Sequence, residues 1–246
     1  MQSDKAYKLL ALQEGISNRA AKELIDRGVV SAAGKKITLA RADVRTDTTF
    51  KINKLKKPTV IFEDDKIMAV DKPPFLTAEE IAQSFKLTLL HRLDKETSGV
   101  LLLSKDDEFT KKVIDVFKNR KVEKIYLAIV SGKFAEPITI DTPLYIIKTK
   151  SGAFAKPSKD GQEAVSTVTP RLIEGKNSMV EVLIQTGRTH QIRAHLKSIG
   201  FPIIGDEKYG GKGGGRIMLH AWKISLLGYS FESPLPDDFA KFGKGT

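Results

Sequence analysis

Short apolar runs separated by charged turns fill the chain from residue 59 onward, and this pattern limits the possible folds more than any other feature. TVIFEDDKIMAVDKP holds two apolar runs around two aspartates, which is typical of a β-hairpin. One stretch with helical spacing, DEFTKKVIDVFKNR, interrupts the series. The further strand-like runs are GVLLLSK, KIYLAIVSG, EAVSTVTPRLI and SMVEVLIQT. Because helices do not alternate regularly with these strands, the sequence predicts an α+β fold with a mixed, mostly antiparallel sheet.

Charge is distributed unevenly along the 246 residues. The chain has 41 Lys and Arg against 30 Asp and Glu, a net charge of +11. Residues 1 to 57 hold 13 basic and 6 acidic residues, so +7 of that excess lies in the first quarter of the chain. A basic excess concentrated in one segment indicates a polyanionic partner, although a solvated basic surface would give the same count.

Composition excludes several classes of protein. No window approaches the roughly 20 apolar residues that a membrane span needs, and MQSDKAYKLL does not have the pattern of a signal peptide. We therefore expect a cytoplasmic protein with no membrane partner; separately, a monomer is the simplest expectation. The chain has no cysteine, which excludes disulfides and thiolate catalysis. His190 and His195 are separated by about 140° on a helix, without acidic residues nearby, so no metal site is predicted.

Residues 1–52 predict a small α/β domain, followed by a basic linker over 53–58. Ser17 is a candidate N-cap for a helix that runs to about Arg27, and Gly28 is a natural stop. VVSAAGKKITL is typical of two short strands around Gly34. The hydroxyl and cations exposed on this helix and hairpin suit contact with RNA phosphates; these candidates are Ser17, Arg19, Lys22, Arg27 and Lys35.

This N-terminal stretch resembles the ribosomal S-four-type RNA-binding domain, also called the αL motif. The residues that carry the resemblance are Ser17, Arg19, Ala21, Leu24, Ile25, Gly28, Val29, Gly34 and Lys35. It departs from the family at Ala32 and Ala33, where Val-Asn is usual, so the turn can differ. An ordinary amphipathic helix with a solvated face is the alternative interpretation.

Two segments concentrate polar side chains beside apolar ones. In HRLDKETSGVLLLSK, Asp94 precedes a buried strand, so its carboxylate should be partly desolvated, and a nearby arginine would keep it ionised. An aspartate that only caps a turn is the alternative. In QTGRTHQIRAHL, a helix beginning near Thr189 places His190 and Arg193 on one face. Arg188, Gln191 and His195 share another face. A lone strand tyrosine such as Tyr126 is usually a core residue.

Five strings occur in one order along the chain: HRLDKETSG, KIYLAIVSG, TGRTHQIRAHL, GDEKYGG and LHAWKISL. In this order they resemble the pseudouridine synthases of the ribosomal-large-subunit (RluA-type) family, over roughly residues 59 to 236. The resemblance implies a catalytic domain of pseudouridine synthase type over 59–246. The segment between VDKPPFL and LLHRLD is shorter than is usual in the family, which bears on substrate choice more than on chemistry.

The resemblance also assigns roles to individual residues. Asp94 would be the catalytic aspartate, Tyr126 the tyrosine that stacks on the target base, and Arg193 the basic partner of Asp94. Isomerising uridine needs no cofactor or metal. Residues expected to face the RNA are Arg92, His91, Arg188, His190 and Gln191, with Arg92 entering the space left by the base.

The partner implied is RNA, and 23S ribosomal RNA is the first candidate. The alternatives are a transfer RNA substrate or an RNA-binding assembly factor without catalysis. A glycosidase would need a second carboxylate near Asp94, and Glu96 is the near candidate by sequence.

Overall fold

A computed structural model describes residues 2–149 and 152–244. The chain forms two compact units, and the boundary between them lies between Lys56 and Lys57. Within the described residues, no helix combines the length and the apolar character needed to cross a membrane.

The first unit contains two helices and two small sheets. Strands β1 and β4 form an antiparallel pair, and β2 lies between β3 and β5. Helix α2 begins where Ser17 Oγ accepts a hydrogen bond from the Ala20 amide at 3.1 Å, and it ends at Gly28, which has a left-handed φ of 82°. The elements are β1 (Ser3–Lys5), α1 (Ala6–Glu14), α2 (Asn18–Arg27), β2 (Val30–Ala32), β3 (Lys35–Lys36), β4 (Asp43–Arg45) and β5 (Phe50–Ile52).

The second unit is built on one large sheet with helices on both faces. Its elements are β6 (Thr59–Glu63), β7 (Ile67–Lys72), α3 (Ala78–Phe85), β8 (Thr88–Leu89), β9 (Ser98–Ser104), α4 (Asp107–Lys118), β10 (Glu123–Ser131), β11 (Ile138–Ile140), β12 (Leu144–Thr149), β13 (Gly152–Pro157), β14 (Ser166–Glu174), β15 (Asn177–Ile184), α5 (Gln191–Ser198), a 3₁₀ turn (Glu207–Tyr209), β16 (Leu219–Leu226), β17 (Tyr229–Glu232) and α6 (Asp237–Ala240).

The strand order confirms the predicted mixed, mostly antiparallel sheet. Within the described residues the sheet has ten strands, in the order β11-β14-β15-β10-β16-β9-β7-β6, with β17 paired to β16 and β8 to β9. The pair β9–β16 is parallel, and the other described pairs are antiparallel. The central strands β10, β16 and β9 are therefore neighbours.

A glycine permits the close approach of β9 to β16. Gly99 has a φ of +115°, and a Cβ at this position would lie 2.1 Å from the carbonyl oxygen of Ala221. No side chain fits there, so the parallel pairing depends on glycine. The loop that carries Asp94 leads directly into β9, and Tyr126 lies on β10, on the other side of β16. The β9–β16 contact thus brings these two predicted site residues together.

Strand β9 is buried on both faces, as its unbroken apolar sequence predicts. Val100 and Leu102 pack with α4 on one face of the sheet, whereas Leu101 and Leu103 pack with α3 on the other. All four side chains are at most 1% exposed. Such a strand is rigid, which fixes the position of the loop that precedes it.

Helix α3 fills the segment between VDKPPFL and LLHRLD, which is shorter than is usual in the family. Its first turn carries a capping box: Thr77 Oγ1 accepts from the Glu80 amide at 3.1 Å, and Glu80 accepts from the Thr77 amide at 2.7 Å. The helix ends at Lys86, whose φ of 56° is left-handed. The segment is therefore short but ordered, and it packs against β9.

The hairpin β12–β13 packs beside helix α5 and was not predicted from the sequence. Leu144 and Ala155 of the hairpin form a small core with Ala194 of α5 and with Tyr209. The backbone amide of Ala155 also donates to the Tyr209 hydroxyl at 2.8 Å. This core anchors one side of α5, which carries the predicted residue Arg193.

Candidate active site

One cleft in the second unit gathers the residues that the motifs single out. It lies where the loop before β9, strand β10 and the start of α5 meet. Its lining includes Asp94, Tyr126, Arg92, Arg188, His190, Gln191 and Arg193. The three segments are far apart in sequence, so only the assembled sheet brings them together.

The Asp94 loop is held by hydrogen bonds to the backbone carbonyls of Asp94 and Lys95. The Thr97 amide donates to the Asp94 carbonyl at 3.0 Å, which closes a turn. Behind the loop, the fully buried Lys72 donates to the carbonyl of Lys95 at 3.1 Å and to that of Leu76 at 2.6 Å. Burial lowers the pKa of Lys72 to about 7, partly offset by the charges of Glu96 and Asp94. Lys72 thereby ties the Asp94 loop to the end of β7.

Arg193 bridges two carboxylates. Its Nε and Nη2 donate to the two oxygens of Asp206 at 2.7 and 2.9 Å, a bidentate pair that is almost fully buried. Its Nη1 donates to Asp94 Oδ2 at 3.1 Å. Burial opposes the charge on Arg193, but the hydrogen bonds and the charge of Asp206 outweigh it and raise the pKa. Asp206 therefore orients a permanent cation towards Asp94.

The Asp94 carboxylate remains open to a substrate. Its side chain is 27% exposed, whereas that of Arg193 is 4% exposed and that of Asp206 is fully buried. The ion pair thus has a buried cationic side and an accessible anionic side. This arrangement presents a carboxylate with a fixed cationic partner in the cleft.

His190 stands on the other side of the same carboxylate. Its Nε2 lies 3.7 Å from Asp94 Oδ2, and its Nδ1 lies 3.0 Å from the Tyr209 hydroxyl. The Tyr209 hydroxyl also accepts from the Ala155 amide, and its own proton can point at Nδ1; in that arrangement the imidazole proton is on Nε2, towards Asp94. Burial lowers the pKa of His190, and the charge of Asp94 opposes this shift.

Tyr126 contributes a half-buried ring to the cleft wall. The residue packs against the apolar clusters on either side and lines the same cleft as Asp94. Burial raises the pKa of Tyr126, and the negative charge of Asp94 raises it further. The phenol is therefore neutral near pH 7 and offers an aromatic face rather than a base.

Two of the predicted RNA-facing cations lie at the mouth of the cleft. Arg92 is 77% exposed at its side chain, where Nε forms an ion pair with Glu79 at 2.8 Å. Arg188 donates from Nε to the carbonyl of Glu163 at 2.9 Å. Both guanidinium groups keep donors available on the outer side of the cleft.

Two other predicted RNA-facing residues have hydrogen-bond partners within the protein. Gln191 is 3% exposed; its Oε1 accepts from Thr186 and from the Arg188 amide, and its Nε2 donates to Val165 and Ser166. His91 Nε2 accepts from the Leu102 amide at 3.2 Å, and burial lowers the pKa of His91 to about 4. The Gln191 amide is therefore buried, whereas the half-buried His91 ring also lines a groove beside the cleft.

The start of helix α5 also differs from the prediction. The helix begins at Gln191 rather than near Thr189, because His190 has a left-handed φ of 52°. The Gln191 side chain closes this turn by accepting from the Arg188 amide. His195 points inward, where its ring lies 3.0 Å from Ser166 Oγ and 2.9 Å from the Thr142 carbonyl.

In the first unit, the predicted RNA-facing residues lie along α2 and the β2–β3 hairpin. Ser17 caps α2, and Arg19 is 91% exposed while paired with Glu23 at 3.0 Å. The Lys22 ammonium lies 4.3 Å from the centre of the Tyr7 ring. Arg27 occupies the last turn of α2, and Lys35 begins β3.

Sequence reasoning missed three residues that complete the site. Asp206 and Tyr209 both lie in GDEKYGG, a string that carries the family resemblance, so a signal was present. Lys72 lies in VDKPPFL, where nothing but the end of an apolar run marks it. Among the described residues, no group of three or more His, Cys, Asp or Glu side chains is arranged to hold a metal ion.

Solved structures with a similar fold support the architecture. Human RNA pseudouridylate synthase domain containing 4 matches with a TM-score of 0.63 and 23% identity, over 74% of this chain and 90% of that one. Human RNA pseudouridylate synthase domain containing 1 matches with a TM-score of 0.63 and 24% identity, over 78% and 88%. At this identity the likeness shows the fold.

Sequence relatives and a family model show the family. A Helicobacter pylori protein described as an uncharacterized RNA pseudouridine synthase is 52% identical over 96% of this chain and 99% of its own length. The tRNA pseudouridine synthase C of Haemophilus ducreyi is 34% identical over 66% and 82%, and the ribosomal large subunit pseudouridine synthase D of Nitrosomonas europaea is 30% identical over 74% and 63%. The RNA pseudouridylate synthase model matches residues 51–198. This chain therefore belongs to the RNA pseudouridylate synthase family and is an isomerase that acts on RNA.

Proposed function

We propose that the protein converts uridine to pseudouridine in structured RNA with Asp94 as the catalytic aspartate. The observation that carries this assignment is the accessible Asp94 carboxylate, held 3.1 Å from the buried Arg193 guanidinium in a cleft shared with Tyr126. Asp94 is the one carboxylate among the described residues that line the cleft.

The isomerisation makes limited demands on the protein. The bond between N1 and C1′ breaks, the uracil rotates, a bond forms between C5 and C1′, and the proton on C5 is replaced by one on N1. No atom is gained or lost overall, so one positioned anionic oxygen can serve as nucleophile or as proton acceptor. Asp94 fits an attack on the base and also a glycal-type path at the sugar.

Tyr126 would receive the target base. A base in a folded RNA must leave its stack before such chemistry, at a cost of a few kcal/mol. Stacking of the base on an aromatic ring stabilises the bound state by about 1–3 kcal/mol and so offsets part of this cost. The neutral, half-buried Tyr126 ring in the cleft wall is suited to this. Arg92, exposed at the cleft mouth, would enter the space that the base leaves in the RNA stack.

We propose ribosomal RNA of the large subunit as the substrate. The support is the similarity to the ribosomal large subunit pseudouridine synthase D of Nitrosomonas europaea over 74% of this chain. Transfer RNA is the second candidate, because the tRNA pseudouridine synthase C of Haemophilus ducreyi is also similar, at 34% identity. A monomeric state and a cytoplasmic location stay predictions.

The first unit is proposed to act as an S-four-type RNA-binding domain. Support comes from the capped helix α2, the exposed Arg19 side chain and the basic excess of this part of the chain. Its contribution would be affinity that weakens with salt, because contacts between cations and phosphates release counterions. A truncated chain without residues 1–56 should then bind RNA more weakly and keep residual turnover.

The test uses purified protein and unmodified transcripts of 23S ribosomal RNA and transfer RNA, with pseudouridine measured by chromatography after digestion. Asp94→Asn should lower kcat by at least about 100-fold, because the amide cannot act as nucleophile or proton acceptor. Glu96→Gln is the matched control two residues away and should stay within a few-fold of the wild type. Pseudouridine formation by Asp94→Asn at the wild-type rate would refute the assignment. No product from either RNA would favour the assembly factor without catalysis.

A further inference from the structure

A second groove borders the cleft and shares part of its wall. Arg92, Tyr126 and Arg188 line both. From there the groove runs along the end of α4 and the start of β10, where it is also lined by Phe117, Lys118, Arg120 and Lys124. A ligand that extends out of the cleft on this side therefore meets a run of cations beside an aromatic ring.

Lys124 occupies the inner part of this groove. It lies two residues before Tyr126 on β10, so both side chains project from the same face, about 7 Å apart along the strand. Its ammonium lies 5.8 Å from the centre of the Phe117 ring. It also lies beside Gly187: a Cβ added to Gly187 would be 3.7 Å from the Lys124 Nζ atom. The side chain is half-buried, and burial lowers the pKa of Lys124.

The other cations of the groove are already engaged or exposed. Arg120 forms a bidentate pair with Glu163 at 2.7 and 2.6 Å. Arg92 pairs with Glu79, and Lys118 is exposed to solvent at the end of α4. Within residues 2–149 and 152–244, no carboxylate forms an ion pair with Lys124. A partly buried ammonium without an anion is costly, and an anion bound in the groove would remove that cost.

We propose that Lys124 binds a backbone phosphate of the RNA next to the target uridine. The inference rests on the proposed function, because a base stacked on Tyr126 places its own backbone at the border between the cleft and the groove. The spacing of Lys124 and Tyr126 along β10 suits one nucleotide step. Phosphate is the anion of an RNA strand, and Lys124 lines the groove through which that strand would leave the cleft.

The experiment compares Lys124→Gln and Lys124→Arg with the wild type and with Lys112→Gln. Lys112 is a matched control, because it is an exposed lysine of α4 outside the groove. Binding is measured by fluorescence polarisation of a labelled RNA stem-loop with uridines in its loop, at salt concentrations from about 50 to 200 mM. Turnover is measured on the transcript that yields pseudouridine. Trp222 fluorescence during urea unfolding verifies that each variant is folded.

A phosphate contact predicts a specific pattern. Lys124→Gln should raise Kd and KM several-fold and reduce the slope of log Kd against log salt by about 0.7 to 0.9, the loss of one phosphate contact. Lys124→Arg should restore most of the binding, and kcat should change little in either variant. Lys112→Gln should behave as the wild type.

Other results would overturn the inference. If the salt slopes of Lys124→Gln and Lys112→Gln agree, no phosphate binds Lys124. If Lys124→Gln lowers kcat while Kd and its salt slope stay unchanged, Lys124 acts on the site by packing. Because the stem-loop binding assay needs no turnover, absence of pseudouridine from every RNA would refute the proposed function and leave the phosphate contact separately measurable.

Discussion

The buried pair of Arg193 and Asp206 yields a prediction that separates stability from catalysis. Asp206 is fully buried and holds two nitrogens of Arg193, while the third nitrogen reaches Asp94. Replacing one member leaves the other as a buried charge without its main partner. Replacing both with apolar residues removes the charges together and leaves only Asp94, which solvent reaches.

The magnitudes follow from this burial. Asp206→Ala or Arg193→Met should each lower the free energy of unfolding by about 3–5 kcal/mol, the usual cost of breaking a buried ion pair from one side. For a unit of this size that corresponds to roughly 6–20 °C in Tm. The double variant Arg193→Met/Asp206→Leu should lie within about 2 kcal/mol of the wild type, because an apolar replacement of a buried pair is often close to neutral.

Trp222 makes the measurement specific. It is the one tryptophan of the chain and lies on β16 of the second unit, so its fluorescence during urea unfolding reports on that unit. Pseudouridine formation is measured on the same samples. The double variant should recover stability but not activity, because Asp94 still has no arginine beside it.

Two results would refute the reasoning. Additive losses, with the double variant less stable than either single variant by several kcal/mol, would mean that the two side chains contribute independently. Full activity in the stable double variant would mean that Arg193 matters only for packing and that Asp94 needs no cation.

Three further predictions concern other parts of the second unit. Tyr126→Phe should keep RNA affinity, whereas Tyr126→Leu should raise Kd by roughly 5- to 150-fold, which corresponds to a stacking energy of about 1–3 kcal/mol. Equal losses of affinity in the two variants would mean that the hydroxyl, rather than the ring, contributes to binding. Burial lowers the pKa of His220 to about 4, so it stays neutral in the fold while the unfolded chain takes up a proton near pH 6.5. This group alone should therefore lower stability by about 3 kcal/mol between pH 6.5 and 4, and His220→Leu should remove that part of the pH dependence in urea unfolding while the part due to His91 remains. Gly99→Ala should cost at least about 3 kcal/mol, seen as a lower Tm, because its Cβ would clash with the Ala221 carbonyl at a left-handed φ; an unchanged Tm would mean that β9 and β16 can separate freely.

Much of the sheet could be predicted from the sequence because its strands are continuous and apolar. The buried β9 and the turn before it followed directly from HRLDKETSGVLLLSK. Helix α3 was missed although its capping box, Thr77 with Glu80, is visible in the sequence, because so short a helix offers little apolar periodicity. The hairpin β12–β13 was missed because lysines interrupt its apolar alternation.

Side-chain direction was harder to predict than secondary structure. Helical periodicity put Arg188, Gln191 and His195 on one face of the predicted helix, but periodicity does not say which face meets solvent. The Gln191 side chain points inward because its amide forms four hydrogen bonds there. The partners are the Thr186 hydroxyl, the Arg188 amide, the Val165 carbonyl and the Ser166 hydroxyl. Burial of that amide removes unpaired groups from the start of the helix, which favours the inward rotamer over one that contacts RNA.

The polar floor of the cleft depends on contacts that only the complete sheet provides. Arg193 is separated in sequence by 13 residues from Asp206 and by 99 residues from Asp94, and it forms hydrogen bonds with both. Lys72 is 23 residues from Lys95, whose carbonyl accepts its hydrogen bond. In the unfolded chain these groups are hydrated, and their burial is tolerated only when all partners arrive together. The position of the Asp94 carboxylate is therefore set before any RNA binds, and it need not reorganise during the reaction. Hence substitutions at Lys72 and Asp206, which do not line the cleft, should still act on turnover through the position of Asp94.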